Sequence, residues 1–159
     1  MENLNTWKTP HIIKIYEALG AIADNRITCD GNSAKVTSSS GNKVYNVTVD
    51  ISSRSAMSND NAYFYTQTLG YPVIAFLLKL RYFSYDSHFG NLFANIHWKD
   101  INQKNNNDFD VTKQEIDTVL QERGIDFEKF QEYITGIMNS LRLDPFSFLG
   151  EKTIPPKGY

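Results

Sequence analysis

Three histidines, one cysteine and eighteen carboxylates are the side chains in this chain that could move a proton, attack a carbonyl or hold a metal. His11, His88 and His97 are widely scattered, with no partner at a ligand-binding interval, so each reads as a structural or solvated imidazole rather than a general base. Cys29 has no base beside it in sequence, and an inert, partly buried thiol is expected. A lone cysteine also excludes an intrachain disulfide and a cysteine cage for zinc. Asp108 and Asp110 lie in an asparagine-rich stretch, but the central Gly and final Glu of a calcium loop are missing, so a helix cap is expected. The run Ser38-Ser39-Ser40-Gly41-Asn42-Lys43 lacks the Gly-x-x-x-x-Gly-Lys spacing of a phosphate cradle and falls between strand patterns, which predicts a hairpin turn. No catalytic set, no metal site and no cofactor follows from these residues.

Binding chemistry is more legible than catalysis. Between 54 and 71, Tyr63, Phe64, Tyr65 and Tyr71 stand among Ser, Asn and Gln beside Arg54. Aromatic rings in a polar setting can stack on bases or take a peptide, although Phe64 and one tyrosine are expected to anchor the segment on the core. Lys35, Lys43 and Arg54 are the candidate basic patch. A rival reading is an enzyme whose site gathers scattered polar groups such as Asn59, Asp60, Tyr63 and His97. A third is a subunit of a larger assembly.

The elements that must position these residues follow from periodicity. Pro10, capped by Thr9, opens a helix whose Ile12, Ile15, Tyr16, Leu19, Ile22 and Ala23 form one apolar stripe. Asp30-Gly31 marks a hairpin, and Tyr45, Val47, Val49 and Ile51 alternate with Asn46, Thr48 and Asp50, so 26–51 reads as a three-stranded antiparallel meander. Residues 52–69 read as a polar irregular loop. Pro72 then starts a helix that is apolar all round and must be buried. A helix is expected over 85–98 and a linker at 105–108. Two further helices follow, the first with capping-box spacing at Thr112 and Glu115, the second capped by Asp126 after Gly124. The expected fold is α+β: an N-terminal helix, the meander and a mostly helical C-terminal half. It forms a single domain over 1–145, with a hairpin-loop-helix unit at 26–80, a helical part at 85–142 and an irregular tail at 146–159.

The order of hairpin, polar loop, Gly-x-Pro and buried helix resembles the SWIM-type zinc finger. Asn32-Ser33-Ala34-Lys35-Val36 and Gly41-Asn42-Lys43-Val44-Tyr45-Asn46-Val47 look like its strands. Ala56-Met57-Ser58-Asn59-Asp60 looks like its Cys-x-Cys-Pro-Asp stretch, and Gly70-Tyr71-Pro72-Val73-Ile74-Ala75 like Gly-x-Pro-Cys-Lys-His. The four ligand positions of that pattern hold Ala56, Ser58, Val73 and Ala75, which cannot bind zinc, so the finger would be degenerate and held by hydrophobic packing. The resemblance implies binding of nucleic acid or protein through the hairpin and the 52–71 segment.

Composition sets the outer bounds. The chain has 159 residues, 41% of them hydrophobic, enough to build a core rather than stay disordered. Sixteen basic residues against eighteen acidic ones give a net charge of -2, which excludes a protein that coats phosphate backbones. A protein partner is therefore expected over bare nucleic acid. The longest apolar run, 73–78, is far too short to cross a membrane, and no signal-peptide pattern is present, so a cytoplasmic location is expected. The leading reading is a non-enzymatic binding or adaptor module.

Overall fold

A computed structural model describes residues 5–157 and gives an α+β fold. Helix α1 (Ile13–Ala23) leads into strands β1 (Ile27–Asp30), β2 (Ser33–Thr37), β3 (Val44–Asp50) and β4 (Ser55–Ser58). Helices α2 (Asn61–Thr66), α3 (Tyr71–Lys79) and α4 (Ser87–Gly90) follow, then a 3-10 turn at Asn91–Phe93. The chain ends in α5 (Trp98–Lys104), α6 (Phe109–Glu122), α7 (Phe127–Leu143) and the short strand β5 (Ser147–Phe148).

The sheet order is β1-β2-β3-β4-β5, antiparallel except for the parallel β4–β5 pair. The expected meander is present and extends by one strand and a tail. Gly31, at φ +60, makes the first tight turn, and Tyr45, Val47 and Val49 are buried as their alternation requires. Ile51 falls past the strand end, in the turn to β4, and is exposed.

Residues 52–69 are not an irregular loop. Ser55, Ala56, Met57 and Ser58 form a fully buried strand, because β3 and β5 pair with its two edges and α3 packs over it. Small polar side chains are tolerated there because they bond locally: Ser58 Oγ donates to Asp60 at 2.7 Å. The tail at 146–148 is also ordered. Phe146 is buried, and Trp7 Nε1 donates to Ala56 O (3.1 Å) and Ser147 O (3.2 Å), so one N-terminal indole ties β4 to β5.

Helix α1 is buried from Ile15 to Ala21 rather than along a single stripe, because α3 packs on one side of it and the C-terminal helices on the other. Its start differs from the Thr9–Pro10 expectation: His11 Nδ1 accepts from Ile13 N at 3.0 Å, and His11 Nε2 therefore donates to Asp110 at 2.7 Å. The expected helix over 85–98 is broken into α4, the 3-10 turn and α5, with Asn95 at φ 62 in the break. Asp108 caps α6 through Val111 N, and Thr112 lies buried inside that helix instead of starting it. Asp126 caps α7 as expected. No helix of the described residues is long and apolar enough to cross a membrane.

Candidate functional site

Helix α1 is almost wholly apolar, yet it carries one acid, Glu17, at 4% exposure. A buried carboxylate is costly unless its oxygens are matched. Asn102 of α5 donates to Glu17 Oε1 at 3.0 Å, and Lys14, one helical turn away, places its ammonium 2.9 Å from Oε2 as an ion pair without hydrogen-bond geometry.

The exit from α1 aims a cation at the same place. Asn25 takes the left-handed conformation (φ 54), Asn25 N bonds Ile22 O, and Arg26 N bonds Ala21 O at 2.8 Å, the paired bonds of a Schellman cap. Arg26 follows this cap and directly precedes β1. Its Nη1 donates to Thr37 O at 2.7 Å, while Nε lies 3.7 Å from the Asp24 carboxylate and Nη2 has no hydrogen-bond partner.

Glu17, Arg26 and Asn102 line a cleft of about 230 Å3. The 38–43 turn, Tyr45, Tyr71, Trp98 and Lys99 close it. The turn is held by Lys43 N bonding Ser38 Oγ and Gly41 N bonding Ser38 O, and Ser39 Oγ accepts from Lys99 N at 3.4 Å, which joins it to α5. Trp98 reaches the cleft because α1 has Gly20 opposite it: a Cβ there would lie 2.8 Å from Trp98 Nε1. Tyr71 meets Tyr45 edge to face at 6.3 Å. Burial is the main cause that pushes the Tyr71 phenol above the usual tyrosine range; Tyr45 and Glu17 add to it, while the Arg26 guanidinium opposes it. The Tyr45 phenol is likewise raised, first by burial and then by Asp60 and Glu17. Both phenols are neutral donors at ordinary pH.

A second cleft of about 180 Å3 shares Tyr45, Asn61 and Tyr71 with the first and adds Lys14 and Asp60. Asp60 caps α2 through Tyr63 N at 3.0 Å and rests against Gly70, where any Cβ would clash with its oxygens. Burial raises its carboxyl above the ordinary range, against the lowering effect of Tyr63 N, Ser58 and Lys14.

Among the described residues, five buried side-chain nitrogen or oxygen atoms lack a hydrogen-bond partner: Glu17 Oε2, Arg26 Nε and Nη2, Trp98 Nε1 and Asn102 Oδ1. They belong to four residues, Glu17, Arg26, Trp98 and Asn102, that line the first cleft. Buried polar atoms are normally paired, so their concentration in the residues of one cavity makes it the candidate site.

The residues singled out from sequence are dispersed. Lys43 and Tyr71 line the cleft. Tyr63 is removed from any contact surface, because it packs at 3% exposure between Trp7 and Phe148. Tyr65 is 74% exposed on α2. Lys35 lies on the outward side of β2, opposite Asn46, while Lys43 and Arg54 flank β3 at opposite ends, separated by seven strand residues or roughly 24 Å. The three cations therefore form no single patch, and Arg54 is paired with Asp144 at 3.1 Å. Ala56, Ser58, Val73 and Ala75 are all buried, the first two on β4 and the last two on α3, which packs against it. No group of three metal-ligating side chains occurs among the described residues. Of the groups proposed for a scattered active site, Asp60 borders the second cleft, Asn59 Oδ1 is used by Asn46 N, and His97 is exposed before α5. Cys29 is exposed on the edge strand rather than partly buried. Glu17, Arg26, Trp98 and Asn102 were not anticipated as site residues. The available signal was Glu17, the one acid in a helix that is apolar but for Lys14.

The chain belongs to the family described as Uncharacterised conserved protein UCP014422, whose profile matches residues 7–146 and so spans every cleft residue. No curated protein and no solved structure matches it.

Proposed function

We propose that the protein is a non-enzymatic binding module whose ligand is a small polar molecule with an anionic group, held in the cleft between α1, the 38–43 turn and α5. The observation that carries this reading is that the five buried polar atoms without a hydrogen-bond partner, among the described residues, all belong to residues that line one cleft. Charge supports the anionic group: Arg26, Lys43 and Lys99 outnumber Glu17 in the lining. Arg26 presents Nε and Nη2, a fork suited to a carboxylate or phosphate, beside the Tyr71 phenol and with the Asp24 carboxylate 3.7 Å from Nε. This reading moves the contact from the 52–71 segment, half of which forms β4 and α2, to the cleft that Tyr71 lines.

Isothermal titration with inorganic phosphate and with succinate tests it. Saturable binding that Arg26→Gln removes, with an unchanged far-UV spectrum, is the expected result. Absence of binding to the folded wild type refutes the reading. A second reading, catalysis in the same cleft, is favoured by one arrangement: the neutral Tyr71 phenol beside Arg26 and close to the buried Asp60. It would show as conversion of the bound ligand.

A further inference from the structure

We infer that the ligand is a free amino-carboxylate, an α-amino acid or a near analogue with a protonated amine and at least one carboxylate. The inference rests on the anion site proposed above and names the ligand class it takes. The five unpaired atoms are of two kinds. Arg26 Nε, Arg26 Nη2 and Trp98 Nε1 donate; Glu17 Oε2 and Asn102 Oδ1 accept. A simple anion answers the donors but leaves Asn102 Oδ1 without a donor and Glu17 Oε2 with the Lys14 ion pair alone, which is costly. A ligand that answers all five brings acceptors and donors together.

The acceptor side calls for a cation. Glu17 and Asn102 act as a unit: Asn102 Nδ2 donates to Glu17 Oε1, which fixes the amide so that its oxygen is the free atom. The flipped amide would set that oxygen against a carboxylate. A carboxylate oxygen beside an amide oxygen suits an ammonium group, which supplies three donors and the compensating charge. Lys14 holds Glu17 Oε2 at 2.9 Å, and it also faces Asp60 across the second cleft. An arriving ammonium therefore shares the Glu17 carboxylate with Lys14.

Size and charge narrow the class. About 230 Å3 is the share of about eight waters at ~30 Å3 each, room for a molecule of roughly that many heavy atoms. The cationic excess at Lys43 and Lys99 favours acidic over basic amino acids.

Calorimetry on the full chain with matched pairs decides the matter: alanine against propionate, aspartate against succinate, glutamate against glutarate. Each pair differs by the amine alone. The expected result is that at least one amino acid binds roughly ten-fold or more tighter than its partner acid, the scale of a charge-assisted bond. Glu17→Gln should collapse that preference while the partner acid keeps its affinity. Should Glu17→Gln fail to fold, the pairwise comparison on the wild type stands alone. Equal affinity within every pair overturns the amino-carboxylate inference and leaves the anion site standing. Absence of binding by all six probes and by inorganic phosphate overturns both.

Discussion

Gly20 and Gly136 are both helix-interior glycines, and their surroundings give the same substitution opposite signs. At Gly20 a methyl group would lie 2.8 Å from Trp98 Nε1 and 3.1 Å from Phe93 O, so the indole or the backbone must shift. At Gly136, on the exposed face of α7, nothing lies within 4 Å. Gly20→Ala should destabilise the fold by about 1–3 kcal/mol and move the Trp98 ring, despite alanine's better helix propensity. Gly136→Ala should stabilise by about 0.5–1 kcal/mol. Chemical denaturation followed by tryptophan fluorescence compares the two. Equal effects would mean that Trp98 does not rest on Gly20, and the cleft wall would have to be redrawn.

The strand β3 shows how far a pattern reaches at the scale of an element. Val47 is 1% exposed and pairs with Ala34 on one side and Ser58 on the other, so an aspartate there would be a buried, unpaired charge. Thr48 points to the opposite side of the sheet and is only half-buried. Val47→Asp should cost more than about 3 kcal/mol and Thr48→Asp about 1 kcal/mol or less, measured as shifts in urea midpoint at constant slope. Comparable losses would contradict the register. The helix ends follow the same local logic: Asp60, Asp108 and Asp126 each accept a backbone N–H of the helix they precede. At the α1 exit, local cap geometry has a distant consequence, because it sets Arg26 at the cleft.

For the whole molecule, the ends of the described chain matter as much as its middle. Trp7 bonds β4 and β5 together, Trp7 N bonds Phe146 O, and Phe146 is 1% exposed in the same core as α3 and α7. Phe146→Ala should therefore cost about 3–5 kcal/mol and loosen the β4–β5 pairing. Hydrogen exchange at Ser147 N and Leu149 N, which bond Arg54 O and Ala56 O, should accelerate more than exchange within β2. Unchanged protection at those amides would show that β5 holds without its phenylalanine anchor. Lys43 and Arg54 stand at opposite ends of β3, roughly 24 Å apart, and Arg54 is paired with Asp144, so the basic residues singled out from sequence do not gather at one place.

The sequence by itself determined whatever depends on near neighbours. Alternation at Tyr45, Val47 and Val49 placed one face of β3 inside, Pro72 and the apolar run placed α3, Asp126 placed the start of α7, and the balance of charge spoke against a phosphate-coating protein. It misjudged the elements that depend on distant partners. Ser55 to Ser58 carries only a short apolar signal at Ala56 and Met57, and becomes a buried strand because β3 and β5, the latter some ninety residues later, pair with its two edges and α3 packs over it. The 85–98 stretch has helical spacing but is broken at Asn95, whose backbone N–H bonds Asp24 beyond the end of α1. The cleft belongs wholly to this second kind. Glu17, Arg26, Tyr71 and Asn102 come from four separate elements, with Trp98 fitted against Gly20 across 78 positions of chain. Pairing rules for a helix or a strand act over a few residues, whereas unmatched donors and acceptors are defined by what surrounds them in three dimensions, and only the tertiary structure decided that.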